Sequence, residues 1–197
     1  WPDGTDAHGA RKGEGARAAP EQVERVWSAL ADMGVLGIAV SEGRGGLGLG
    51  PLDWVLLAEE TGYAAVPHPF VETAIVVAPL LDAVDDPEGV VGELVSGERR
   101  AGVLALGAGE VAWGDRVRHL TAIDHRPDAA EGPWIARRIE SGVARGDEPR
   151  ALADAVDGGR RLVELGAWRS TATLGGSDDA EAAFRRGALG TAAQLVG

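Results

Sequence analysis

Three features of this 197-residue chain have residue types that chemistry can use: a glycine-rich run at 43–50 (GRGGLGLG), adjacent carboxylates at Glu59 and Glu60, and His68 between Pro67 and Pro69. A glycine-rich loop can cradle phosphate, but the phosphate-loop pattern closes on Gly-Lys-Ser/Thr, and Lys12 is the only lysine in the chain. The run therefore predicts a tight loop that lets helices pack closely. Paired carboxylates do acid–base work when they face one another, whereas successive helical residues point about 100° apart. Glu59 and Glu60 accordingly predict a solvated or structural pair. His68 has no second or third histidine at ligand spacing, which predicts a loop residue and no metal site.

Composition narrows the function classes further. The formal net charge is −12, against the clustered cations that phosphate backbones and anionic membranes attract. No nucleic-acid partner is expected. Cysteine is absent, so disulfides, thiolate metal sites and cysteine nucleophiles are excluded. At 45% hydrophobic residues the chain can bury a core. No apolar run approaches the ~20 residues of a membrane span, and no signal-peptide pattern opens the chain, so the expected location is cytoplasmic. The chain begins at Trp1 and ends at Gly197 inside a predicted helix, which suggests a piece of a longer protein.

The elements that would position these residues follow from periodicity. Residues 1–19 are polar and aperiodic and predict a flexible arm. Pro20 opens a helix whose stripe is Val23, Val26, Trp27, Leu30 and Met33, with Gly34 as a left-handed cap. Pro51 opens a second helix to about Ala65, with Leu52, Val55, Leu56 and Tyr63 expected on its buried side. Residues 70–84 (FVETAIVVAPLLDAV) are apolar almost all round, the mark of a helix buried on most faces. Asp85 or Asp86, with Pro87, predicts the cap of a short helix over 87–95. After Gly97, β-compatible runs at 101–106, 119–123, 134–140 and 161–165 predict a small antiparallel β region. Asp178 and Asp179 then cap a helix from about Ala180, whose Gly187, Ala188, Gly190, Ala192 and Ala193 suit close helix contact.

Five ordered stretches carry a family resemblance. Residues 28–50 (SALADMGVLGIAVSEGRGGLGLG) and 51–62 (PLDWVLLAEETG) resemble the N-terminal signature of acyl-CoA dehydrogenases, and 67–75 (PHPFVETAI), 94–98 (LVSGE) and 185–197 (RRGALGTAAQLVG) resemble segments that follow in order. The resemblance covers most of residues 20–107 and 180–197. It implies an α+β fold: an N-terminal helical domain over 20–98, a shortened β domain over 99–177, and at 178–197 the first helix of a C-terminal helical bundle. It also implies an FAD-dependent α,β-dehydrogenation of an acyl-CoA thioester, with an electron-transfer acceptor and a homo- or hetero-oligomer as partners. The family's base, usually a glutamate of the C-terminal domain, would fall beyond Gly197, so no catalytic residue is assigned.

On the same resemblance, Leu106, Gly107, Ala112 and Trp113 fall where the flavin contacts would lie, and Phe70, Thr73, Ala74 and Val77 where the acyl tail would run; the all-round apolar pattern of their helix favours reading the last four as ordinary core. Residues 104–111 (LALGAGEV) lack the threonine-glutamate and serine-aspartate pairs of the family motif. Val111, Ala112, Trp113 and Gly114 stand opposite Ile-Thr-Asn-Gly, keeping the glycine and losing the hydroxyl. That combination resembles a divergent subset whose members pair with a better-conserved subunit, and it opens a second reading as a non-catalytic partner subunit.

Overall fold

The computed structural model describes residues 20–84, 86, 88–106, 109–114, 116–128, 132–141, 150–151 and 162–197; the predicted arm at 1–19 lies outside them. Helix α1 spans Pro20–Asp32 and buries Val23 and Trp27, with Val26 and Leu30 half-buried. Met33, expected to end this stripe, is 63% exposed, because the helix has already stopped and Gly34 turns the chain at φ 73°. The following run passes through a 3₁₀ turn, Val35–Gly37, and buries Leu36, Gly37, Ile38 and Val40. The glycine-rich loop then folds back on it, Leu47 N–H donating to the Gly37 carbonyl and Leu49 N–H to that of Ile38. A Cβ on Gly46 would collide with the Val40 carbonyl, so this glycine is required by close backbone approach.

Helix α2 (Pro51–Tyr63) starts where Asp53 accepts the Gly50 N–H at 3.0 Å. Its buried face is Trp54, Ala58 and Thr61. Leu52, Leu56 and Tyr63, expected on the buried side, are 86%, 62% and 79% exposed. Trp54 fills the helical core, while Ala58, Thr61 and Gly62 form the C-terminal part of the face, which packs against the last helix at backbone distance. A Cβ on Gly62 would strike the Gln194 carbonyl, leaving no room there for a bulky face.

The apolar segment 70–84 is helical but not regular. Val71–Val77 is a π-helical turn that passes into α3 (Ala78–Ala83). Pro79 explains the change, since it has no N–H to give the carbonyl four residues back, that of Ile75. Phe70 through Leu81, apart from the half-buried Glu72, are buried as the all-round apolar pattern requires. Helix α4 occupies Val90–Val95, starting later than expected. Asp86 caps it, accepting the N–H groups of Val90 at 3.1 Å and Val91 at 2.9 Å. Trp27 Nε1–H donates to the Gly97 carbonyl at 2.9 Å, tying α1 to the turn after α4.

The β region is mixed. Strands β1 (Ala101–Ala105), β3 (His119–His125), β4 (Trp134–Ser141) and β7 (Trp168–Thr173) form one sheet in that order. Strands β2 (Glu110–Ala112), β6 (Leu162–Glu164) and β5 (Arg150–Ala151) form a second. The antiparallel expectation fails at one pair: β1 and β3 run parallel, Ala101 opposite His119 and Ala105 opposite Ile123. Residues 106–118 make the long crossover that a parallel pair needs, and β2 is paired into the other sheet on the way. Strand β3 is buried on both faces. Its Leu120 and Ala122 enter a small core between the sheets with Leu104, Val111, Val117, Ile139, Val163 and Leu165, while Ile123 enters the helical core.

Helix α5 (Ser177–Val196) begins three residues before the expected Ala180, with Asp179 accepting the Gly176 N–H at 2.8 Å. It lies across α2 and the π-helical turn. A Cβ on Gly190 would sit 2.9 Å from Val71, and one on Gly187 3.1 Å from Val76, which gives the predicted small residues their role. No helix of the described residues is long and apolar enough to cross a membrane.

Candidate functional site

Where α5 passes the π-helical turn and the β1–β3 pair, the elements do not close. They leave a cavity of about 430 Å³, inside the roughly 300–1,000 Å³ range of small-molecule sites. Its walls come from Val71, Glu72 and Val76 of the turn, Val103, Ala105 and Ile123 of the strands, and Ala183, Phe184, Gly187, Ala188, Thr191, Ala192 and Leu195 of α5. The small α5 residues that approach the turn also create this space, since each missing side chain leaves volume unfilled. Phe184 is fixed by Trp134, ring centroids 4.6 Å apart, and Trp134 by His125 at 4.8 Å. The cavity is an apolar slot with Glu72 its one carboxylate among the lining residues.

A smaller, more polar cavity of about 190 Å³ adjoins it, sharing Glu72, Thr191 and Leu195. Thr61, Gly62, Ala65, Val66, His68, Trp113 and Gln194 complete that wall. Thr61 donates its hydroxyl to the Ala58 carbonyl at 2.7 Å and accepts from Gln194 Nε2 at 3.0 Å. His68 is more than a loop residue. It is 2% exposed, its Nε2 lies 2.6 Å from the Val23 carbonyl, and its ring packs on Trp27 at 5.1 Å. Burial holds its pKa below the ordinary imidazole value. The neutral ring, donating from Nε2, pins the 64–69 segment to α1.

The residues expected to line an acyl tail take a different position. Phe70, Thr73, Ala74 and Val77 are fully buried in the helical core, and it is their neighbours Val71, Glu72 and Val76 that reach the cavity. Thr73 is committed elsewhere: its hydroxyl donates to the Ala101 carbonyl and accepts the Ala101 N–H at 3.0 Å, stitching the turn to β1. The π-helical phase was not visible in the residue spacing; Pro79 was the signal that could have revealed it. Of the four flavin-contact candidates, Leu106 is 56% exposed at φ 53°, Ala112 is half-buried in β2, and Trp113 is buried at φ 59° and lines the smaller cavity. Gly107 lies outside the described residues. On α2, Glu59 is half-buried and Glu60 exposed. Among the described residues no group of three or more His, Cys, Asp or Glu could hold a metal ion.

Residues 7–86 match the family model for the acyl-CoA dehydrogenase N-terminal domain. Over that stretch the chain is similar to the acyl-CoA dehydrogenase family. The ChsE4-ChsE5 complex from Mycobacterium tuberculosis is similar to it at 25% identity and a TM-score of 0.65, over 87% of this chain and 53% of that one. A variant of the Tcur3481-Tcur3483 steroid ACAD shares the fold at 19% identity and a TM-score of 0.62, over 90% and 55% of the two chains. PigA with FAD and proline does so at 15% identity and a TM-score of 0.62, over 89% and 57%. No curated protein sequence matches. The chain spans just over half the length of the solved chains it resembles.

The resemblance sets the flavin contacts at 106–107 and 112–113. Over 110–114 the side chains are Glu110, Val111, Ala112, Trp113 and Gly114, with Val111 and Trp113 turned into the interior. No side-chain hydroxyl is offered, and the neighbouring Leu106 is an exposed hydrocarbon. These residues do not fit a flavin ring's need for hydrogen-bonding partners, each lost bond costing about 1 kcal/mol or more.

Proposed function

We propose that this chain supplies the acyl-binding cavity of an acyl-CoA dehydrogenase, an FAD-dependent oxidoreductase that removes a hydrogen pair from an acyl-CoA thioester. The carrying observation is the apolar cavity of about 430 Å³ between the π-helical turn, β1–β3 and α5. Its hydrocarbon walls suit an acyl group, gaining about 25 cal/mol for each Å² of apolar surface removed from water. The chemistry itself requires a carboxylate base, a flavin and an electron-transfer acceptor, which we assign to the complete assembly.

The test is a cavity block. Ala192 lines the cavity from an exposed position on α5, so Ala192→Phe should fill it without disturbing the core. Calorimetric titration with acyl-CoA thioesters should show affinity falling about tenfold or more in the variant, a loss of 1.4 kcal/mol or beyond. Unchanged affinity would remove the cavity from the account.

A second reading, a partner subunit that holds acyl-CoA but not flavin, is favoured by the poor flavin fit at 110–114. Two of the similar structures are named as paired proteins, ChsE4-ChsE5 and Tcur3481-Tcur3483, which supports a heteromer. The visible absorption spectrum separates the readings. Flavin bands in the protein purified alone support direct catalysis. A colourless protein that gains them only with a homologous partner supports the shared site.

A further inference from the structure

The apolar cavity has one wall that cannot yield. Its α5 residues run from Ala183 to Leu195, about 18 Å of helix at 1.5 Å per residue. Gly187, Ala188 and Ala192 carry at most a methyl, so bulk enters from this helix chiefly through Phe184 at one end and Leu195 at the other. Leu195 is 79% exposed and also borders the smaller cavity, which leaves its side chain room to turn towards solvent. Phe184 has no such freedom. Its ring packs on Trp134 at 4.6 Å, and Trp134 and His125 meet edge-on at 4.8 Å. The Trp134 N–H donates to Ser177 Oγ at 3.1 Å, so the strand that carries this brace is tied to the first turn of the helix that carries Phe184. Across the cavity, Val71, Val76 and Ile123 are buried, β-branched and stiff at χ1. The space in front of the Phe184 ring is therefore fixed in size.

From this arrangement we propose that Phe184 is the specificity-determining residue of the cavity: its braced ring sets the largest acyl group that the cavity admits. The proposal rests on the acyl-CoA reading above, and it holds whichever way the acyl group lies along α5. Up to the limit, each methylene buried strengthens binding roughly fourfold. Beyond it, an added methylene meets a wall that moves only by breaking the Trp134 contact, and overpacking of this kind costs roughly five- to 150-fold in affinity.

Calorimetric titration of the protein, with any partner subunit it copurifies with, tests this using straight-chain acyl-CoA thioesters of increasing length and a set of phenylalkanoyl-CoA thioesters. For the unaltered protein, affinity should climb with length and then stop at a definite length. Phe184→Ala vacates the space of a ring. The stopping point should then move to longer chains, and the phenylalkanoyl members should bind about tenfold tighter or more than they do to the unaltered protein. Phe184→Trp should move the stopping point to shorter chains. An unmoved limit in both variants, or uniform weakening at every length as a purely structural ring would give, overturns the assignment while leaving the acyl-CoA reading intact. No binding of any thioester to the unaltered protein overturns both. Phe184→Leu, of intermediate bulk, should move the limit in the same direction as Phe184→Ala and decides the matter where that variant fails to fold.

Discussion

Arg186 of α5 donates its Nε–H to the Ile75 carbonyl at 3.2 Å, and Ile75 is the residue whose regular helical donor would be Pro79. The side chain thus stands in for a missing backbone N–H. Its guanidinium is substantially buried, and that burial lowers its pKa, with Asp179 acting in the opposite direction. One contact therefore links the irregular turn, which walls the cavity, to the helix opposite.

Removing this donor should be costly only while Pro79 is present. Arg186→Met is expected to destabilise by about 1–3 kcal/mol in urea titrations, the cost of an unsatisfied buried carbonyl. With Pro79→Ala, which restores a backbone N–H, the same change should cost less. A double-mutant cycle with no coupling would show that the two residues do not serve the same oxygen.

The α2–α5 contact predicts a sharp contrast between glycines. Gly62→Ala places a methyl against the Gln194 carbonyl, backbone against backbone, and should cost about 1–3 kcal/mol or more. Gly43 has open space where its Cβ would go, so Gly43→Ala should stay within about 0.5 kcal/mol. Equal effects in thermal melts would mean the helices do not approach this closely.

Stability should fall in mild acid, and His119 should be a main cause. It is 3% exposed, its Nε2 is 3.2 Å from Thr121 Oγ1, and its pKa is pushed down to about 4 by burial first and then by Arg138 and Arg99, with Asp86 and Glu88 opposing. Because the folded pKa lies below the unfolded value of about 6.5, the unfolded chain binds more protons between those values. The contribution is fully present above about pH 6.5, is lost as pH falls towards about 4, and amounts to the order of 3 kcal/mol. His119→Gln should flatten the stability curve across that window. A curve as steep as that of the unaltered protein would rule His119 out as the cause.

The outward face of α2 predicts tolerance. Leu52→Lys and Leu56→Glu replace side chains that are 86% and 62% exposed and should change stability by no more than about 0.5 kcal/mol. Large losses in chemical denaturation would place these leucines back on the buried side.

That last case marks where the sequence was legible and where it was not. The caps were readable: Gly34 and Asp86 do what their residue types suggest, because a left-handed glycine and an N-capping carboxylate act locally. The near-complete burial of the 70–84 segment was readable from its composition as far as Leu81, whereas Asp82, Ala83 and Val84 at its end are half-buried or exposed. The buried face of α2 was not, because hydrophobicity pointed to Leu52 and Leu56, while the observed face is set by Trp54 entering the helical core and by the close approach of the last helix at Gly62. The cavity wall was missed by a single helical step. The family resemblance pointed to Thr73 and Val77, and the π-helical turn presents Glu72 and Val76 instead. Parallel pairing of β1 with β3 depends on a crossover whose strand β2 joins another sheet, a choice that no local pattern encodes.

The most direct test of the central claim is turnover. The protein, with a homologous partner where one is needed to hold flavin, would be incubated with acyl-CoA thioesters and an artificial electron acceptor. Mass spectrometry would then follow loss of a hydrogen pair from the thioester. The account predicts conversion by the unaltered protein and a drop of about tenfold or more in kcat/KM for Ala192→Phe. Conversion undiminished by the blocked cavity, or none with any thioester in the flavin-loaded assembly, would contradict it.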